Sequence, residues 1–338
     1  MSKLLFGAGA HDGPAWYRCE LPARWLRAAG VPAAVKYDVV TPQDFEGVTA
    51  VVLQRTRSPQ APAAVHELRR RGVLVAYELD DDIWRMPEWN PLRRHFTKDV
   101  VFQMERVIAA CDLVIATTNE LAEILYRINR EVRVIPNGID LSLVPAPAQQ
   151  PRETVRIGWA GSGTHEGDLR MAEAALKRVL ELRPEVRLVF LGWAPPWTKG
   201  VERVEQHKWV AADQLYPRLA ALDLDLAIAP LAEHRFNFSK SPVKLIEYGA
   251  LGLPVVASDV GPYQCIENGV TGYRVKDNRT DLWESLLLEL ITRVSDRLEI
   301  GVRARAWVEA NHTMDQVGPE WKLALRCGAP VKLAEVVA

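Results

Sequence analysis

The same local design occurs twice in this chain. Lys3-Leu4-Leu5-Phe6 is a short apolar run that ends in a glycine-spaced loop, Gly7 to Gly13. After that loop, Leu21, Trp25, Leu26 and Ala29 recur at helical spacing. In the second half, the apolar run Val155 to Trp159 enters Gly161-Ser162-Gly163 and then a helical pattern over 168–182. A strand, a glycine-rich turn and a helix open a doubly wound α/β domain. Two copies predict two such domains in tandem.

The rest of each half agrees. The runs 50–54, 72–77, 113–116 and 132–135, and later 186–191, 224–229 and 253–258, are short, β-branched and almost wholly apolar. Runs of that kind suit strands covered on both faces, as in a parallel sheet. Helical patterns such as 61–71 and 100–110 separate them. The expected fold class is therefore α/β, two Rossmann-like doubly wound domains facing a cleft. The stretch 136–151, with Asn137-Gly138 and then Pro145, Pro147 and Pro151, reads as a linker. The boundaries expected are 1–148 and 149–313, with a helix over about 314–338 packing back on the first domain.

Composition removes several function classes. The 42 basic and 43 acidic side chains leave a net charge of −1, so no large electrostatic excess is available to hold nucleic acid. Up to Asp140 there are 18 of each sign, so Arg55, Arg57, 69–71, Arg93 and Arg94 make a local basic patch without an excess. Such a patch suits anionic head groups, a phosphorylated acceptor or nucleic acid, or is simply a solvated face. The four cysteines have no C-x-x-C spacing, which argues against a zinc site and for reduced thiols. No run reaches the roughly 18 apolar residues of a spanning helix, and the N-terminus is too short for a signal peptide, which gives a soluble cytoplasmic expectation.

The stretch from Pro230 to Gly261 is the richest in chemistry. Ser241-Pro242 reads as a helix start, with Ser as cap and Pro at the first helical position. Gly252 ends that helix. Amides at the start suit a phosphate, Lys240 and Lys244 add positive charge beside it, and Glu247 can accept hydrogen bonds from vicinal hydroxyls. Amides and cations for a diphosphate, with a carboxylate for a ribose, match a nucleotide. The plainer alternative is a surface helix with solvated Lys and Glu.

The run Phe236-Asn237, Lys240-Ser241, Lys244, Glu247-Tyr248 and 252–258 (Gly-Leu-Pro-Val-Val-Ala-Ser) resembles the donor-site signature of GT-B glycosyltransferases. Within them it is most similar to the large retaining family four, which uses nucleotide-sugar donors. Asn268-Gly269-Val270-Thr271-Gly272 and Val134-Ile135-Pro136-Asn137-Gly138-Ile139-Asp140 resemble two further motifs of that family, in the expected order. The resemblance implies that Glu247 binds the donor ribose, Lys240 the diphosphate, and Ser241, Pro242 and Val243 line the phosphates, with Gly161, Ser162 and Gly163 on the other side. The family's first glutamate of an E-x7-E pair falls at Ser239 and is absent, leaving Asn237, Ser239 or no residue for the sugar ring. The loop 162–166 lacks the Arg and Lys of relatives and offers His165 and glycine amides instead.

On the acceptor side stand Gly9, His11, Asp12 and Gly13 of the first glycine loop, and Asp80, Asp81, Asp82 and Trp84 after the strand that ends near Tyr77. Three adjacent carboxylates repel, so they need a cationic partner, a metal or solvent, and a helix-capping turn is the structural alternative. The residues expected to act in catalysis are Lys240, Asp81 and His11. The implied reaction transfers a sugar from a UDP- or GDP-sugar to a hydroxyl, with retention, no tightly bound cofactor and no required metal. The acceptor is a glycan, a lipid-linked sugar, a small molecule or a modified nucleic acid. An epimerase on the same fold, or a nucleotide-sugar-binding protein without catalysis, are the alternatives. An oxidoreductase is disfavoured because neither glycine loop reads G-x-G-x-x-G with a following acidic residue.

Overall fold

The computed structural model describes residues 3–37, 42–146 and 153–327. The domain boundary expected at 148 and the distal tail, 328–338, lie outside the described residues. The chain divides into two units, one of 1–84, 96–139 and the C-terminal segment from Met314, the other of Arg85–His95 and Asp140–Thr313.

The first unit holds a six-stranded sheet of β1 (Lys3–Gly7), β2 (Ala33–Lys36), β3 (Val48–Gln54), β4 (Leu74–Leu79), β5 (Leu113–Ala116) and β6 (Val132–Val134). The order is β2-β1-β3-β4-β5-β6, and every pair is parallel. The second unit holds β7 (Val155–Gly161), β8 (Val186–Gly192), β9 (Val204–His207), β10 (Leu226–Ala229), β11 (Val255–Ser258) and β12 (Tyr273–Val275). These too are all parallel, ordered β12-β11-β10-β7-β8-β9. The apolar runs became buried strands for the reason expected: β5, β10 and β11 are buried at every residue, which requires cover on both faces. The short edge strands β2 and β9 were not expected, because Ala-Ala-Val-Lys and Val-Glu-Gln-His carry no continuous apolar run.

Each strand order reverses once, between β1 and β3 in the first sheet and between β7 and β10 in the second. In open parallel sheets ligands bind beyond the carboxyl ends of the strands at such a reversal. The loops placed there are 8–13 and 55 in the first unit, and 162–165 and 230–242 in the second.

The first helical run contains a π-turn, Trp16–Glu20, which turns Arg18 into the interior. Arg18 Nε bonds Glu78 Oε1 at 2.6 Å, and its Nη1 donates to the carbonyls of Ile135 and Pro136 and to Asn137 Oδ1. Burial pushes the Glu78 carboxyl up to about 7, against the pull of Arg18. Breaking such a buried pair from one side typically costs about 3–5 kcal/mol. The 134–140 motif thus has a structural role, holding a buried guanidinium by its carbonyls.

The helix Met314–Ala324 belongs to the first unit and packs there through aromatic rings. Trp321 is fully buried, with Phe6 at 5.8 Å between ring centroids and the Arg18 guanidinium 5.0 Å above the indole. Trp25 donates to Asp315 at 3.0 Å and lies over Gly318, where an added Cβ would stand 2.2 Å from the indole. Gly318→Ala therefore has to displace a wedged ring. We expect a loss of about 1–3 kcal/mol in urea unfolding; an unchanged midpoint would show that this helix is not docked through Trp25.

Candidate active site

In the second unit the glycine turn after β7 and the segment after β10 meet at the strand reversal. Gly161 is enforced by space: a Cβ there would lie 2.7 Å from the Trp159 ring and 3.1 Å from Lys244 Nζ. A Cβ at Gly163 would lie 3.1 Å from the Trp193 ring. The turn is therefore walled by two indoles with a lysine aimed into it.

That lysine is carried by the helix Val243–Ala250. Its start differs from the expectation. Pro242, one residue later than expected, occupies the cap position with ψ 40°, and its ring offers no acceptor to the first amides. The residue before a proline is pushed out of the helical region, which keeps Ser241 outside. Residues 240–243 are half-buried, so the helix mouth is accessible, whereas 244–250 are buried throughout. The helix ends in a Schellman turn at Gly252, φ +68°, with the Leu253 amide bonded to the Tyr248 carbonyl at 3.0 Å.

The reading of Lys244 and Glu247 as solvated surface charges is overturned, for they are only 8% and 7% exposed. Lys244 Nζ donates to the Ala160 carbonyl and sits 4.8 Å above the Trp159 ring. Burial lowers its pKa to about 8, against the raising effect of Glu247, and Lys240 lowers it further. Tyr248 accepts the Ala160 amide at 2.8 Å, so one helix face fixes both backbone groups of Ala160 at the glycine turn. Lys240 lies 4.4 Å over the Phe236 ring.

A residue that sequence reasoning missed organises this region. Asp168, in the first turn of the helix Glu166–Leu182, is buried and accepts from the Ala232 amide at 2.9 Å, from Asn237 Nδ2 at 2.9 Å and from His165 Nδ1 at 2.8 Å. Burial would raise its pKa, but the hydrogen bonds and charges around it hold it below the usual carboxylate value. Its spacing of three from His165 was the available signal. Asn237 was expected to face the sugar, yet both amide hydrogens are used, one on Asp168 and one on the Ala232 carbonyl. Ser239, also a candidate for the sugar, is buried and donates to the Phe236 carbonyl at 3.1 Å.

In the first unit, the carboxylate run separates into distinct roles. Arg55, directly after β3 at φ +49°, takes Asp80 bidentately at 2.6 and 2.7 Å, approaches Asp81 at 3.5 Å and Asp12 at 3.9 Å. A cationic partner thus relieves the repulsion, and it comes from a left-handed position that strains the backbone by about 1–3 kcal/mol. Burial raises the Asp80 pKa, Arg55 lowers it and Asp81 raises it again, with a net upward shift. Asp82 is fully buried and accepts the Trp84 amide, the turn-forming alternative, and Trp84 Nε1 is bonded to Glu105 at 2.7 Å. Asp12 caps the Ala15 amide in a short turn that opens at Gly13, Gly9 N–H donates to Gln54 Oε1, and His11 stacks on Tyr37 at 3.5 Å. Among the described residues no three His, Cys, Asp or Glu side chains converge as metal ligands.

His165 supplies a pH test. Burial lowers its pKa to about 4, with Lys244 and Lys240 adding to the fall and the Asp168 hydrogen bond opposing it. The unfolded chain binds this proton below about 6.5 while the folded one does not, so stability is complete above that pH and falls as pH drops toward 4. We expect His165→Gln to flatten the urea-midpoint curve across that window by about 1–3 kcal/mol; parallel curves for the two proteins would contradict the assignment.

Residues 154–293 match the sequence model of the family Glycosyl transferases group 1. A D-inositol 3-phosphate glycosyltransferase of Xylanimonas cellulosilytica is 28% identical over 241 residues, covering 62% of this chain and 57% of that protein. A glycogen synthase of Mycobacterium tuberculosis is 26% identical over 163 residues, 46% of this chain and 38% of that protein. The chain thus spans 57% and 38% of the length of these two curated relatives. Among solved structures, HepE of Anabaena in complex with UDP and glucose superposes with a TM-score of 0.69 at 14% identity, over 97% of this chain and all of that one. Sucrose-phosphate synthase from Thermosynechococcus elongatus gives 0.68 at 14% identity, over 96% and 98%. No described helix is long and apolar enough to cross a membrane. The chain has the GT-B fold, and residues 154–293 of its second unit match the glycosyltransferase group 1 model.

Proposed function

We propose that this protein transfers a sugar from a nucleoside-diphosphate sugar to a hydroxyl acceptor. The observation that carries the proposal is the half-buried, accessible start of the helix Val243–Ala250 with Lys244 and Glu247 buried behind it, at the strand reversal of the second sheet. A cation buried only under a partial counter-charge suits an incoming diphosphate. The free amides of the first turn and Lys240 complete an anion seat, and Gly161, Ser162 and Gly163 let a phosphate approach the backbone. Glu247 is the group for the ribose hydroxyls. HepE of Anabaena was solved with UDP and with UDP-glucose, which supports a UDP-sugar over other donors.

In the reaction we propose, an acceptor oxygen bonds to the anomeric carbon while the bond from that carbon to the leaving phosphate oxygen breaks. With retention, the leaving oxygen takes the acceptor proton on the same face, so no protein base is needed. The helix amides and Lys240 stabilise the charge that develops on the diphosphate. Their charge makes a metal unnecessary in this scheme. On the first unit, Asp80 and Asp81, with His11 and Asp12, are the acceptor-side groups, Asp82 being buried in its turn, and an inverted product would move the base role to His11 or Asp81. Four thiols without a disulfide suit a reducing, cytoplasmic setting. Ser239, where the family has a carboxylate, is the observation favouring the second reading, nucleotide-sugar binding without transfer.

Glu247→Ala should weaken UDP binding in calorimetry by about 1.5–3 kcal/mol, the worth of hydrogen bonds to a charged group. Lys240→Ala should lower transfer from UDP-glucose more than it lowers UDP affinity. Both variants binding and turning over normally would refute the site. Because Lys244 titrates near 8 and its charged form favours the diphosphate, UDP affinity should fall as pH rises from 7 to 9. Lys244→Met should remove that dependence, and a slope persisting in the variant would place the titrating group elsewhere. NMR of the product anomer decides retention.

A further inference from the structure

Trp159 lies near the carboxyl end of β7 and is 2% exposed. Its register partner on β8 is Phe190, and the two rings pack with centroids 6.3 Å apart. The His165 ring meets the indole edge-on at 6.2 Å. Gly161 leaves room for the far edge of the ring, since an added Cβ would stand 2.7 Å from it. The indole is thus fixed on several sides, and one face is turned to Lys244 Nζ, 4.8 Å from the ring centroid. Its Nε1 is buried and has no hydrogen-bond partner among the described residues. A buried donor left unpaired costs stability, and a phenyl ring would fill the same wall without that penalty. What an indole adds is its face, the best of the aromatic side chains for a cation. Lys244 has three N–H donors, and the Ala160 carbonyl takes one of them. Away from water, the ring face supplies attraction that solvent does not. Among the charged groups around this ammonium, Glu247 on its own helix and Asp168 on the helix Glu166–Leu182 favour the protonated form, whereas burial and Lys240 oppose it. The balance leaves Lys244 titrating at about 8, close enough to neutrality for loss of the ring to be felt there.

We propose that Trp159 is a positioning residue of the diphosphate seat: its indole face holds the protonated Lys244 ammonium beside the glycine turn 161–163. The inference deepens the function proposed above and rests on it. Lys244 then meets its ligand already charged and already placed, with neither a proton to gain nor a rotamer to fix on binding. The role belongs to the face of the ring and not to its volume. A phenyl ring at this position should therefore do part of the work, and an aliphatic side chain none of it.

The test is an NMR titration of the lysine ε-CH2 groups in the full chain, with the Lys244 signal assigned by its loss in Lys244→Met. In the wild-type protein that signal should be shifted upfield by the ring current of the indole. Trp159→Leu should remove the upfield shift and lower the titration midpoint by about 0.5–1 unit, with Trp159→Phe between the two. In calorimetry, Trp159→Leu should bind UDP almost as the wild type does at pH 6 and about two- to fivefold more weakly at pH 8. A wild-type signal at the ordinary lysine position, or one midpoint shared by all three proteins, overturns the proposal. An equal loss of UDP affinity at both pH values also overturns it, by showing a ring that only fills space. Should Trp159→Leu not fold, Trp159→Phe gives the same comparison with a smaller shift. Should UDP fail to bind the wild-type protein, the donor assignment falls, and the NMR titration still judges the pairing of Trp159 with Lys244.

Discussion

The buried carboxylate of Asp168 is the constraint on which the candidate site depends. It takes hydrogen bonds from a backbone amide, a side-chain amide and a histidine, which bring the first turn of one helix to the loop after β10. Those two elements are not adjacent in sequence, and the strand reversal alone would leave a gap between them. An ionised carboxylate without these donors would be expelled from such a position, at a cost of several kcal/mol. With them it fixes Asn237 and His165, and so the approach to the glycine turn on one side and Lys240 on the other.

The first unit uses the same device at its own reversal. Arg55 follows β3 and gathers Asp12, Asp80 and Asp81 from the loops after β1 and β4. Deeper in, Arg18 and Glu78 join the π-turn, β4 and the 134–140 motif, and the C-terminal helix closes over them through Trp321. Each sheet therefore presents a set of strand-end loops held by buried charge, a preorganised arrangement whose groups do not need to be ordered when a ligand arrives.

Much of the fold was legible in the sequence because a parallel strand covered on both faces writes a nearly continuous apolar run, as β5, β10 and β11 do. The edge strands β2 and β9 were not legible, since an edge is half covered and its sequence need not be apolar. The helix Val243–Ala250 was readable from Gly252, Lys244 and Glu247, but its start was displaced because Ser-Pro is ambiguous: the proline that favours a first turn also bars the residue before it from the helix. The fixing of Asn237 was not legible for another reason. Its type is right for a sugar contact, but a buried amide must satisfy its own hydrogens, and Asp168, sixty-nine residues away in sequence, claims one of them. Arg55 was not singled out as the partner of the carboxylate run because the pairing is made by topology and leaves no local pattern.

The central claim is that a nucleoside diphosphate seats at the mouth of the helix Val243–Ala250. A crystal structure of the protein with UDP tests it most directly. The account predicts diphosphate oxygens within hydrogen-bond distance of the Val243 and Lys244 amides, with the ribose hydroxyls on Glu247. UDP bound elsewhere, with that mouth filled by solvent, would contradict it.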